Sequence, residues 1–391
     1  MGTAKVSGGA IAAALRARRL KGQRTIAEGK TNYQFVDIDA KGDGAVATAF
    51  ANQVAYCQKA DAPITARVVA AIAALLDSDE PGALLDRIRK WQGAPLADAL
   101  PLRIAGGIHS LWLSGAQPEL GTIYRGEASN DDVALVREAI AAHEAPLMAW
   151  LGGPPQTNEA GRSSNFIAAM LWLADQGLPA RFACLEIGSS AGINLMIDRY
   201  AYDLGGVRVG PDNPVIAFTP EWRGDPPPNR SIEIVSLKGC DVAPVDLTDP
   251  QQALRLKAFI WPEHAVRFER MDAAIAAARE RAPNLVKMTA AEFVETELAK
   301  PQEAGTTRVL MHSIVWQYVP KDQQARVTAA MEAAGARATA ERPLAWIALE
   351  ANRETHRHEM VLRYWPGGET PVPLAEAHPH GAWIKWSGTA D

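Results

Sequence analysis

The rhythm of hydrophobic and polar positions changes about halfway along the chain. From Ile11 to about Gly177 apolar residues recur at helical spacing and alanine dominates, as in Val46–Tyr56, Thr65–Leu76, Leu100–Leu113, Val133–Leu151 and Phe166–Ala174. An apolar stripe of this period buries one face of a helix, so residues 1–177 are predicted to be all-helical. Breaks are predicted at Glu80-Pro81-Gly82, Gln117-Pro118 and Gly152-Gly153-Pro154-Pro155, because proline lacks an amide donor and glycine has little helical propensity. No sequence repeat is visible.

After Pro179 the pattern becomes short apolar runs separated by helical segments: Phe182–Ile187, Ile232–Val235, Leu285–Met288, Val309–Met311, Leu344–Leu349, Met360–Trp365 and Trp383–Trp386. Strands alternating with helices predict an α/β domain over 178–391 whose largely parallel sheet is covered on both faces. The last two runs leave no room for an identifiable helix, so they are predicted to close the sheet edge as an antiparallel hairpin. A Gly/Pro-rich insertion at about 202–230, including Trp222-Arg223-Gly224-Asp225-Pro226-Pro227-Pro228, is incompatible with a regular crossover helix. It is expected to form a lid or a wall of a substrate site, with surface ornament as the plain alternative.

Composition narrows the functional classes. The 391 residues are 48% hydrophobic and 22% charged, as expected of a soluble protein long enough for two cores. A formal net charge of −5 supplies no basic surplus to attract nucleic acid or an anionic membrane, which favours a small-molecule partner. The three cysteines, Cys57, Cys184 and Cys240, are far apart and odd in number, the pattern of a reducing compartment. Met1–Arg24 places its basic residues after its Ala-rich part, the wrong order for a secretory signal, and is predicted to be a helix of the mature protein. No run approaches the roughly 18 apolar residues a membrane span needs. The expected location is the cytoplasm.

The stretch richest in chemistry is Phe182-Ala183-Cys184-Leu185-Glu186-Ile187-Gly188-Ser189-Ser190-Ala191-Gly192-Ile193-Asn194. It predicts a buried strand, a tight turn and a helix start, with glycines that let backbone amides approach a ligand. Two templates fit. As Glu-x-Gly-x-x-x-Gly it is a first-strand signature for an adenosyl group, with Glu186, Gly188 and Gly192 at the turn. As Gly-x-Ser-x-Gly it is a nucleophile elbow with Ser190 attacking, although an elbow normally lies well into its sheet rather than after the first strand.

Six blocks carry a resemblance: Gln156–Arg162, the Leu185–Asn194 turn, Asp198–Asp203, Ile260–Glu263, His312–Tyr318 and His378–Trp383. Together they resemble a bacterial domain-of-unknown-function family with a fold like that of class I methyltransferases that use S-adenosylmethionine. The resemblance implies a Rossmann-like domain and S-adenosylmethionine as cofactor, with no substrate attached; the expected function is methylation of an unidentified small molecule, the helical region covering the site and helping to choose the substrate. It implies cofactor contacts from Glu186, Gly188 and Gly192, with Ser190 where a middle glycine is usual. Asp241, with Val242 beside it, matches the acid that takes both ribose hydroxyls. Thr289 stands where an acid commonly meets adenine. The segment after the fourth strand implies substrate-facing Ser313, Trp316 and Tyr318, and His312 as a base.

Plainer roles stand beside these: Glu186 as a helix cap, Asp241 as a turn acid, His312 as a core histidine, Trp316 and Tyr318 as core aromatics. Asn158, Glu159 and Arg162 are read as capping residues or as groups facing cofactor or substrate. The pairs His356/His358 and His378/His380 could each share a strand face, but no cysteine lies near either, and no metal is expected. A serine hydrolase using Ser190 with His312, His378 or His380, and a non-catalytic binding or regulatory protein on the same fold, are the alternatives.

Overall fold

A computed structural model describes residues 37, 39–42 and 44–388; the helix expected over Met1–Arg24 lies outside them. The chain divides into two compact units, one running to Gln156 and including Leu254–Glu269, the other formed by Thr157–Ala253 and the chain from Arg270 onward.

The first unit is helical. Ala45–Lys59, Pro63–Asp77, Ala83–Arg89, Leu100–Leu113 and Asp132–Ala142 are its longer helices. Their apolar stripes, with Phe50, Val69, Ile72, Leu84, Ile104 and Ile108 fully buried, form one core. Proline opens two of the helices, where its missing amide costs nothing. The first turn of Pro63–Asp77 is capped from a distance: one Glu263 oxygen accepts from the Ile64 and Thr65 amides at 2.6 and 2.9 Å, the other from the Thr65 hydroxyl at 2.8 Å. A carboxylate there meets both the orphan amides and the helix dipole. The short helix Ala83–Arg89 has no counterpart in the periodicity, which seven residues are too few to reveal.

The second unit is mixed α/β. Its strands are β1 (Arg181–Ile187), β2 (Tyr200–Leu204), β3 (Val207–Val209), β4 (Ile216–Phe218), β5 (Glu221–Arg223), β6 (Glu233–Asp241), β7 (Leu285–Lys287), β8 (Thr307–Ser313), β9 (Leu344–Asn352), β10 (Arg357–Trp365), β11 (Gly368–Ala377) and β12 (Trp383–Trp386). Nine of them form one mostly parallel sheet in the order β5-β12-β11-β10-β9-β8-β1-β6-β7. The parallel strands β7, β6, β1, β8 and β9 run third, second, first, fourth, fifth in chain order, so the order reverses between β1 and β8. Both faces are covered. Leu185 packs with Phe293, Val327 and Met331 of helices Ala290–Leu298 and Lys321–Gly335, while its neighbour Cys184 meets Met170 of helix Ser163–Asp175.

One expectation is corrected. The predicted edge hairpin is a four-strand antiparallel meander, β9 to β12. Its third member, β11, carries Pro371 and Pro373, which erase the strand signature. The 202–230 insertion contains strands: β3 and β4 flank β2 in a small separate sheet, and β5 pairs in parallel with β12 at the edge of the large one.

Candidate functional site

The carboxyl ends of β1 and β8 lie side by side where the strand order reverses, the usual ligand edge of an open α/β sheet. The turn after β1 runs through left-handed backbone at Gly188 (φ +67°), Ser190 (φ +54°) and Gly192 (φ +71°). Glycine is required twice over: a Cβ on residue 188 would lie 2.2 Å from Val315 Cγ2, and one on residue 192 would lie 2.7 Å from Pro283 Cβ. Ser190 is held there without that freedom. Its amide donates to Asp241 Oδ2 at 2.9 Å, and its carbonyl accepts from the Val245 amide at 3.0 Å. Asn158 clamps the turn from outside, donating to the Ser189 carbonyl at 3.0 Å and accepting from the Ile193 amide at 3.1 Å.

The helix expected after the turn is a 3-10 stretch, Ile193–Arg199, kinked at Met196. The Tyr200 hydroxyl bonds the Ile193 carbonyl at 3.0 Å, the group that an α-helix would turn toward residue 197. No long helix dipole therefore faces the turn; its polarity comes from side chains.

Glu186 supplies most of it. The residue is buried, one carboxylate oxygen accepts from Asn194 Nδ2 at 2.8 Å, and the other has no hydrogen-bond partner among the described residues. Burial pushes its carboxyl up to about 7, against the pull of Asn194, Ser189 and the Arg162 guanidinium, with Asp241 raising it further. Ser190 Oγ and Asn194 Oδ1 are likewise buried and unpartnered. Three orphaned oxygens around one turn are unusual, since buried polar atoms are nearly always satisfied.

Asp241 closes the far side. Its second oxygen accepts from the Ala243 amide at 2.8 Å, and each oxygen keeps a further lone pair. Val242 is 64% exposed. Thr289 acts as the cap of helix Ala290–Leu298, accepting from the Glu292 amide.

The turn after β8 is built differently. Ile314, a β-branched residue, has φ +52°, a strained conformation that its surroundings must enforce. Glu350, at the end of β9, does so: one of its oxygens accepts from His312 Nδ1 at 2.7 Å and from the Val315 and Trp316 amides at 3.1 and 3.2 Å. The Trp346 indole donates to His312 Nε2 at 2.9 Å. These bonds fix His312 as the neutral tautomer protonated on Nδ1 and occupy both ring nitrogens. Trp316 stacks on the imidazole with centroids 5.1 Å apart.

Arg162 donates to the carbonyls of Pro379 at 2.8 Å and Ser313 at 3.4 Å. Glu159 accepts from the Gly161 amide and lies 3.6 Å from the Arg270 guanidinium.

Asn158, Glu186, Gly188, Ser190, Gly192 and Asp241 thus meet at the first turn; Arg162, His312, Ser313 and Trp316 meet at the second. Tyr318 is 74% exposed, and Val242 also points outward. Ser190 Oγ touches no histidine, so no described base activates it. Among the described residues no three or more His, Cys, Asp or Glu side chains gather as a metal site requires; the His378 ring instead accepts from the His380 amide. Sequence reasoning missed Asn194 and Glu350. Glu350 repeats the pattern that drew attention to Glu186, an apolar strand ending in an acid.

A family model for an uncharacterized protein conserved in bacteria, DUF2332, matches residues 47–386. The chain belongs to that family. The match spans both units and so includes both turns as well as the Glu263 cap. No curated protein and no solved structure matches the chain.

Proposed function

We propose that the second unit is a class I methyltransferase-type domain that binds S-adenosylmethionine at the turn after β1 and methylates a small molecule. The observation that carries this reading is the cluster of unmet buried oxygens, Glu186 Oε2, Ser190 Oγ and Asn194 Oδ1, around glycines whose missing side chains keep the turn close-packed. An ammonium group and hydroxyls would supply the absent donors. The strand order, reversing beside that turn, is the one in which such sites form.

The residues present fit the cofactor's parts. Glu186 would take the amino acid portion, and Asp241, with a free lone pair on each oxygen, the two ribose hydroxyls; the exposed Val242 would offer an apolar surface to the adenine. When bound, the cofactor supplies an electrophilic methyl group on a sulfonium. The chain's own contribution is to fix the two turns rigidly and keep water from the reacting atoms, the main sources of rate in a transfer that needs little acid–base chemistry. His312, with both nitrogens engaged, orients the second turn rather than taking a proton.

Equilibrium dialysis of the full-length protein against labelled S-adenosylmethionine tests this. Saturable one-to-one binding, displaced by S-adenosylhomocysteine, is expected, and Asp241→Ala should weaken it by about 1.5–3 kcal/mol, the range for hydrogen bonds to a charged group. A folded wild type that binds neither compound would refute the assignment.

A further inference from the structure

Glu350 has two oxygens with unequal tasks. One receives three donors, from His312 Nδ1 and the Val315 and Trp316 amides, and so holds the strained Ile314 turn. The other makes no hydrogen bond among the described residues, on a side chain 19% exposed. A carboxylate can accept about four hydrogen bonds, so this oxygen retains its full capacity toward a ligand.

Its place relative to the first turn follows from the contacts. Val315, whose amide rests on Glu350, packs so tightly over Gly188 that a Cβ there would sit 2.2 Å from its Cγ2. His358, on β10, feels both Glu350 and Arg162 electrostatically, and Arg162 in turn acts on Glu186. His358, whose burial disfavours its charged form, thus lies within electrostatic reach of both Glu350 and Arg162 at the carboxyl edge of the sheet. The half-buried Trp316 ring stacks on the His312 imidazole, whose Nδ1 bonds Glu350, and meets Trp346 edge-on with centroids 5.6 Å apart.

We infer that Glu350 Oε2 is the acceptor-side contact of the site, receiving an N–H or O–H of a small amine or hydroxyl substrate whose carbon skeleton lies against Trp316. The inference rests on the cofactor reading above. A negative oxygen beside an aromatic face favours a cationic amine over an anionic substrate, which Glu350 would repel.

Sinefungin tests it without a known substrate, because this S-adenosylmethionine analogue carries an amine where the methylsulfonium stands and so points a donor at the acceptor side. Calorimetry on the full chain should give wild type about tenfold higher affinity for sinefungin than for S-adenosylhomocysteine, as expected for one charge-assisted hydrogen bond. In Glu350→Gln the amide oxygen can still serve the three donors while its NH2 replaces Oε2. The variant should therefore keep its affinity for S-adenosylhomocysteine within about twofold and lose the preference for sinefungin.

Equal affinities of wild type for the two compounds would overturn the inference even if the variant failed to fold. So would a preference that survives in Glu350→Gln. Failure of wild type to bind either compound would instead remove the cofactor reading, and this inference with it.

Discussion

Two neighbouring turns leave the sheet where its strand order reverses, and each bends through left-handed backbone at a residue that is not glycine, Ser190 in one and Ile314 in the other. In the turn after β8 every strained amide finds a partner: one Glu350 oxygen collects two of them and an imidazole, and a tryptophan completes the imidazole's bonding. In the turn after β1 the backbone is equally well tied, by Asp241 and Asn158, yet three buried side-chain oxygens have no hydrogen-bond partner among the described residues. Strain at both turns with orphaned atoms at only one separates two jobs. In the proposed reading the backbone of the second turn is a finished scaffold that leaves only Glu350 Oε2 for a substrate, and the first turn is a receptor that a ligand completes.

The contact between the turns is the place to break this comparison most severely. Gly188→Val would set a β-branched side chain in left-handed backbone and drive it into Val315. The combined overpacking and backbone cost is roughly 3–5 kcal/mol, visible as a lower urea midpoint with little change in slope. A variant as stable as wild type would mean that the turns are not packed against one another as described.

A smaller effect sharpens the scaffold side. Glu350→Ala strips the acceptor from three donors and should cost about 1–3 kcal/mol in urea denaturation, whereas Glu350→Gln, which keeps an oxygen in place, should cost under about 1 kcal/mol. Equal losses in the two variants would show that the charge, not the oxygen, holds the Ile314 turn.

How much of this was legible before the structure depends on the residue. Glu186, Gly188 and Gly192 announce themselves because backbone conformation and burial are written locally, as an apolar run, an acid and two glycines. Asn158 and Arg162 could be named but not given tasks, since their partners, the Ser189 and Pro379 carbonyls, are backbone groups that no side-chain pattern marks. Strands β1 and β8 show as apolar runs because, with parallel neighbours on both sides, they are buried on both faces. β11 does not, because an edge-region strand tolerates Pro371 and Pro373. Glu350 was hidden by distance: it acts on residues 34 to 38 positions earlier in the chain, through a register that only the folded sheet sets. The position of His312 was readable, but its protonation was not, because the tautomer is decided by Trp346 and Glu350 together.

The most direct test lies in the acid at the first turn. Without ligand, a Glu186 carboxyl held near 7, above its ordinary 4.5, contributes stability that is fully present below pH 4.5 and is lost as pH rises through about 7. The full difference is roughly 3 kcal/mol, and Glu186→Gln should abolish that part of the pH dependence. Ligand binding should run the other way, because a cationic amino group pairs only with the ionised carboxylate. The deciding measurement is therefore a calorimetric titration of S-adenosylmethionine into wild type at pH 6 and at pH 8. A one-to-one association several-fold tighter at pH 8 is expected, with the difference absent in Glu186→Gln. Binding that is equally tight at both pH values in wild type, or absent at both, would contradict the claim that the turn after β1 is a receptor waiting for a cationic ligand.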